Sequence, residues 1–373
     1  MKRFIAISSF CLALIGVIRL TIGTLDTYEI EHTRVGLQAV ETLRAQLKSI
    51  SQRRAGSAEY RVAMVGDSML ADFGRRRQVP NWLQDSVGKL NATAHPVKVA
   101  NGASPGRNPF DFYFLAELIA DADPNLVVLS FNAAWLSRDW STTRPLPELS
   151  AWLSPGRWPE TLSLPIERIG LTLDRILLYA GIKRVFGYDG WLLASREQSR
   201  LGAAYWEATD LLQSATARDE PLGFKKTFNA AFARRRLMPG NAKRMSIAGA
   251  LRSYGAVLDG VGPAHPVLRI TAATVATFRR RYDIPVLVYL SPLNVEHLAT
   301  LGIMNKSGLE QSVGSLEQIV VTNGGAFIDL HDLLPDAGFR DSFGHYAQGP
   351  DVDGGARIAE ELAPLVSHLL RSG

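Results

Sequence analysis

The chain carries a single cysteine, Cys11, in 373 residues, so an intrachain disulfide is excluded and cysteine usage does not fix the redox compartment. It has no internal repeat, no P-loop and no dinucleotide fingerprint. Its glycine-rich run, Gly102-Ala103-Ser104-Pro105-Gly106, lacks the spacing of a phosphate-cradling loop. The histidines are scattered without metal-ligand spacing, so neither a metal nor a cofactor is expected, and His331 reads as a strand-end surface residue. Charge of one sign is nowhere concentrated. The net charge of +5 comes partly from three short runs, Arg75-Arg76-Arg77, Arg234-Arg235-Arg236 and Arg279-Arg280-Arg281, which read as solvated helix faces or termini. With no basic stripe interleaved with aromatics, nucleic acid is not an expected partner. An anionic glycan or a lipid surface is the more plausible acidic partner.

What is present is a globular composition, 46% apolar and 21% charged, on a chain long enough for one large core or two modest domains. Lys2 and Arg3 precede an uncharged run, Phe4 to Ile18, which Arg19 interrupts before Leu20 to Leu25. Together these approach the roughly 20 residues that span a bilayer. A signal peptide starts the same way, but no Ala-x-Ala-like site occurs around residues 19–26, and Phe10 is not the small residue that lipidation of Cys11 requires. Residues 1–25 are therefore expected to be a membrane anchor, or else a signal peptide. The early positive charges place everything beyond them outside the cytoplasm, in a periplasm or at the cell exterior.

Residues 26–58 form an expected amphipathic stalk helix and linker, with Ile30, Val35, Leu37, Val40, Leu43, Leu47 and Ile50 recurring mostly at three- to four-residue intervals. Five short β-branched runs follow, Arg61–Val65, Val97–Ala100, Leu126–Ser130, Val286–Leu290 and Ala326–Leu330, with helical patterns between most of them. That alternation predicts an α/β fold with a parallel sheet covered on both faces. Residues 139–262 offer no corresponding strand and far exceed an ordinary connection. They read as a helical insertion or cap, dividing the catalytic domain into residues 59–138 and 263–373. Trp135, Trp140, Trp152 and Trp158 cluster where the chain enters this stretch; their faces suit sugar rings or a buried cap interface.

Chemistry is concentrated at predicted strand ends. Met64-Val65-Gly66-Asp67-Ser68 closes the first apolar run and puts a hydroxyl at a strand exit. A serine is a weak nucleophile at neutral pH and needs a base, a carboxylate to orient that base, and donors for an oxyanion. Near the C-terminus, Phe339-Arg340-Asp341-Ser342-Phe343-Gly344-His345 supplies an imidazole, His345, and a carboxylate, Asp341, to hold its tautomer. Gly106 follows the second strand and Asn132 the third. The backbone N–H groups of Ser68 and Gly106, with the Asn132 amide, would form a three-donor oxyanion hole. Asp67 reads either as a supporting residue of the site or as a turn residue bonded to solvent or nearby backbone.

This order of blocks resembles the SGNH (GDSL-type) hydrolase superfamily over residues 60–132 and 283–372, with Ser68, Gly106, Asn132 and His345 at its four namesake positions. The third block of that family usually reads Gly-x-Asn-Asp, where this chain has Ser130 and Ala133, and the fifth usually has two residues between Asp and His where this chain has three. The resemblance implies a flavodoxin-like three-layer α/β/α sandwich with a five-stranded sheet. It also implies cofactor-free serine hydrolysis of acyl esters, acetyl esters of a cell-envelope or extracellular carbohydrate being the expected substrate. The alternatives are a polysaccharide O-acyltransferase using the same acyl-serine chemistry and a non-catalytic glycan-binding member of the fold. Expected partners are an acylated small molecule or glycan, the membrane through the N-terminal helix, and polysaccharide-export proteins.

Overall fold

The computed structural model describes residues 43–51, 59–67, 69–70, 78–90, 95–103, 107–136, 246–339 and 353–372. Strands β1 (Tyr60–Gly66), β2 (Val97–Ala103), β3 (Leu126–Phe131), β4 (Val286–Leu290) and β5 (Ala326–Asp329) form one sheet in the order β2-β1-β3-β4-β5, with every neighbouring pair parallel. All five expected strands are present. β2 runs three residues past its expected end, because Met64, Val65 and Gly66 of β1 pair with Asn101, Gly102 and Ala103. The fold is the flavodoxin-like three-layer α/β/α sandwich.

Alternate strand residues face opposite layers, and both layers are dry, which is why the strands read as apolar runs. Ala63, Val65, Val127, Leu129, Val286 and Val288 belong to one core cluster. That side is covered by α1 (helical through 43–51), α3 (Pro109–Asp121), α4 (Ile247–Asp259), α5 (Pro266–Ala276) and α7 (Lys306–Thr322). Val62, Met64, Leu126, Val128, Leu287 and Tyr289 face the other layer, made by α2 (Val79–Leu90) and α8 (Gly354–Ser372). The short α6 (Val295–Thr300) follows β4.

Local signals explain where these helices begin. Asn108 and Asp111 form a reciprocal capping box at α3, with Pro109 at the first helical position, where a missing N–H costs nothing. Phe110, Phe112, Tyr113, Phe114 and Leu115 are all buried, so α3 is apolar on nearly every side and lies inside its layer. α8 buries Ile358, Leu362, Val366 and Leu370, an i, i+4 stripe that meets α2, and the Asp353 carboxylate accepts from Ala356 N–H at 3.1 Å to start it.

The end of the expected stalk lies on the domain itself. Leu43, Leu47 and Ile50 are buried in the α3-side core, and the Gln46 amide donates to the Ala103 carbonyl at 3.3 Å. A Cβ on Gly102 would stand 2.9 Å from Leu43 Cδ1, so the bare glycine lets α1 lie against β2. The expected anchor, residues 1–25, and the rest of the stalk lie outside the described residues. No helix among the described residues is long and apolar enough to cross a membrane. Of the long stretch 139–262, residues 139–245 are likewise outside them. Its final helix, α4, crosses α7 closely enough that a Cβ on Gly308 would overlap the Leu258 carbonyl. Ser312 Oγ fastens that crossing, donating to Val257 O at 2.8 Å and accepting from Val261 N–H at 2.9 Å.

Candidate active site

After β1 the chain builds outward through β2 on one side, and from β3 onward it builds on the other. In open parallel sheets this reversal leaves a crevice beyond the carboxyl ends of the two strands that flank it, here β1 and β3. Of the residues singled out by sequence, Asp67 follows β1 and Asn132 follows β3, so both stand at that junction. Ser68, Gly106, Asp341 and His345 lie outside the described residues.

Asp67 and Asn132 are 5% and 6% exposed and bond each other: Asn132 Nδ2 donates to Asp67 Oδ2 at 2.9 Å. Asp67 Oδ1 accepts from Met69 N–H, and Asn132 Oδ1 accepts from Ala134 N–H, each at 2.9 Å. An ionised carboxylate only accepts and a backbone N–H only donates, so the orientation of the Asn132 amide is fixed on both sides. The bond to a carboxylate is charge-assisted, and it uses one of the two Nδ2 hydrogens. Asp67 is thus a buried hydrogen-bonding residue rather than a solvated turn residue.

The glycine of the Gly-Asp-Ser block has a packing reason. A Cβ on Gly66 would lie 2.8 Å from Ser130 Cβ and 3.0 Å from Leu70 Cδ2, so only glycine lets β1 and β3 close up at this level. Ser130 itself points at β4, its Oγ 3.0 Å from Ser291 Oγ. The other unusual third-block residue, Ala133, opens a 3₁₀ turn, Ala133–Leu136, that carries the chain away from the rim. Trp135 in this turn is fully buried, edge-on to Phe131 at 5.2 Å and to Phe112 at 5.6 Å, and its ring is core rather than a sugar platform. Trp140, Trp152 and Trp158 lie outside the described residues.

The exit of β2 is tied back by charge. Arg107 is 3% exposed and its guanidinium donates to the Gly102 carbonyl. Burial lowers its pKa to about 10, and the nearby Asp111 carboxylate opposes that shift. Within the strand, Asn101 Oδ1 accepts from Ala103 N–H at 3.0 Å while its Nδ2 donates to Gln78 Oε1.

Two histidines follow the last two strands, His297 after β4 and His331 after β5. His331, two residues beyond β5, holds Nδ1 at 2.8 Å from both oxygens of Asp329, and its carbonyl accepts from Leu293 N–H at 2.8 Å. The Asp329 bond raises the His331 pKa above its ordinary value, with partial burial acting against it. A carboxylate–histidine pair is what a general base requires. β5, however, is separated from β1 by β3 and β4, a lateral distance of about 14 Å at ordinary strand spacing, so His331 is remote from the β1 exit. His297 on α6 is 6% exposed, and neither of its ring nitrogens has a hydrogen-bond partner among the described residues. Asn294, the turn residue after β4, caps that helix by accepting from His297 N–H at 3.0 Å and donates to Asp336 Oδ1 at 2.7 Å. Among the described residues no three His, Cys, Asp or Glu side chains converge as a metal site would need.

No protein-family model and no curated protein matches the chain. Among solved structures, a carbohydrate acetylesterase family member from Sinorhizobium meliloti is 12% identical, with 84% of this chain and 99% of that one covered and a TM-score of 0.30. A catalytic mutant of Axe2, an acetylxylan esterase from Geobacillus stearothermophilus, is also 12% identical, with coverage of 84% and 94% and a TM-score of 0.32. These likenesses are faint, and the fold assignment rests on the strand order and register of the sheet itself.

Proposed function

We propose that this protein is an SGNH-type serine hydrolase of acyl esters, with acetyl esters of a cell-envelope or extracellular carbohydrate as its substrate class. The observation that carries the reading is the Asp67–Asn132 hydrogen bond at the β1/β3 reversal, which joins the Gly-Asp-Ser block to the strand-end asparagine at the position where such sheets bind ligands. The resemblance in block order supplies the remaining residues.

In this mechanism Ser68 Oγ bonds to the ester carbonyl carbon as His345 takes its proton, and Asp341 holds the imidazole in the tautomer that can accept it. The carbonyl oxygen becomes an oxyanion that accepts from the N–H groups of Ser68 and Gly106 and from the second Nδ2 hydrogen of Asn132. Collapse breaks the bond to the alcohol oxygen, which leaves with the proton from His345. Water, deprotonated by His345, then attacks acyl-Ser68, releasing the acid and restoring the serine hydroxyl. Asp67 acts indirectly, by aiming the Asn132 amide. The proposal also has residues 1–25 holding the domain on the outer side of a cytoplasmic membrane.

The test is labelling of the purified protein by a serine-directed fluorophosphonate. Labelling of wild type, lost in Ser68→Ala and in His345→Ala, is the expected result. A folded wild type that resists the probe would overturn the reading and favour a non-catalytic glycan-binding role. Turnover of an aryl acetate only when a sugar acceptor is added would replace hydrolysis by acyl transfer.

A further inference from the structure

Below the Asp67–Asn132 pair, the sheet face covered by α2 and α8 buries three hydroxyls among the described residues. Ser130 on β3 and Tyr289 on β4 are register partners, so their side chains stand side by side on one face. Ser291, two residues past Tyr289, shares that face, and its N–H continues the ladder to the Phe131 carbonyl at 2.8 Å. Tyr289 is 2% exposed, Ser130 1% and Ser291 3%. The core on this face includes Met64, Val128, Leu287 and Leu330, and in such a layer a stray hydroxyl is costly. The serine hydroxyls are 3.0 Å apart, and the Tyr289 phenol is within side-chain hydrogen-bonding reach of both. The phenol stays protonated, chiefly through burial. The interactions with Ser130 and Ser291 act against that shift, and the Asp67 charge adds to it.

A buried polar cluster of this kind fixes position more than it adds stability, since each member must meet the others in one geometry. Its mechanical link to the rim is direct. Ser130 Cβ occupies the space a Gly66 side chain would need, so the place of Ser130 limits where the Gly66–Asp67 exit can settle. We propose that Tyr289 is a positioning residue for the reaction: by holding Ser130 and Ser291 it sets the depth of the β1 exit, and thereby the Asp67 carboxylate that aims the Asn132 donor. The inference rests on the esterase reading for its consequence, and on the hydroxyl cluster for its geometry.

The experiment compares full-length wild type, Tyr289→Phe, Ser130→Ala and the double variant. Phenylalanine keeps the ring and leaves the Ser130–Ser291 contact possible, so the fold is expected to persist. Tyr289→Phe should lower kcat on an aryl acetate about tenfold with KM within about twofold, since small displacements of oriented groups act on the transition state. Because the two residues act through one contact, the double variant should be no slower than the slower single variant. A kcat within twofold of wild type, or losses that multiply in the double variant, would overturn the proposal.

Amide exchange at Met69 and Ala134, whose N–H groups are held by Asp67 and Asn132, gives a second readout that needs no turnover. It should speed up about tenfold in Tyr289→Phe while α7 amides stay unchanged. If wild type neither turns over esters nor takes the fluorophosphonate, the esterase reading fails by itself. The exchange data then decide whether Tyr289 holds the pair, and unchanged exchange overturns that as well.

Discussion

The Asn132 amide gives one hydrogen to Asp67 Oδ2 at 2.9 Å, and the two residues leave strands that flank the reversal in the strand order. A single contact therefore couples two blocks that are 65 residues apart in the chain. It also decides which way the amide faces, which a strand-end asparagine alone does not.

Asn132→Asp should turn this contact into a pH-dependent defect. Two carboxylates at hydrogen-bond distance cannot both ionise cheaply, so one folded-state pKa rises above its unfolded value of about 4. A raised folded pKa means stability present below the unfolded pKa and lost as pH rises through the folded one. The variant is expected to be near wild type at pH 4 and weaker by about 2 kcal/mol at pH 7, since a buried hydrogen bond has become a repulsion. Urea unfolding at both pH values checks this, and equal losses at both would contradict the contact. On the proposed esterase reading, Asn132→Ala should instead lower kcat by roughly 10²–10³ at constant KM.

Gly66→Ala should destabilise the protein by about 1–3 kcal/mol, the usual cost of overpacking, because the new methyl meets Ser130 and Leu70. Gly66→Ala combined with Ser130→Gly should recover part of the loss if that clash is the cause. Thermal or urea denaturation of the two variants measures it.

His331 should titrate above its ordinary pKa of about 6.5, because Asp329 stabilises the imidazolium. The sign follows: the stabilisation is complete below the unfolded pKa and disappears as pH rises through the higher folded value. Asp329→Asn should lower the His331 titration seen by NMR and flatten the fall of stability on the alkaline side. A His331 titration unchanged in Asp329→Asn would show that the pair is not formed in solution.

His297→Leu should raise stability by about 1 kcal/mol, since it removes two buried nitrogens that have no partner among the described residues while keeping most of the volume. A loss of stability instead would reveal partners for the imidazole, and loss of turnover with stability retained would give His297 a chemical role.

The five strands, their parallel arrangement and the strand-end placement of Asp67 and Asn132 were legible in the sequence, because strands buried on both faces must be apolar throughout and their exits must be polar or small. Asn101-Gly102-Ala103 looked like loop for an equally physical reason. Its strand conformation comes from pairing with Met64, Val65 and Gly66 and from the close approach of Leu43 to Gly102, neither of which is a local property. The Asp329–His331 pair is local, two residues apart, but that the His331 carbonyl takes the Leu293 N–H shows only once the β5 exit is placed beside the β4 exit.

What the sequence determined by itself is the fold class, since hydrophobic periodicity is a property of each segment alone, together with the polar groups it sets at strand ends. Which of those groups meet was decided only by tertiary structure. The strand order brings Asp67 to Asn132 and leaves His331 about three strand spacings away. The register of β3 and β4 puts Tyr289 beside Ser130 beneath them. A hydrogen bond between side chains requires particular distances and angles, and no one-dimensional pattern records those until the backbone has fixed them.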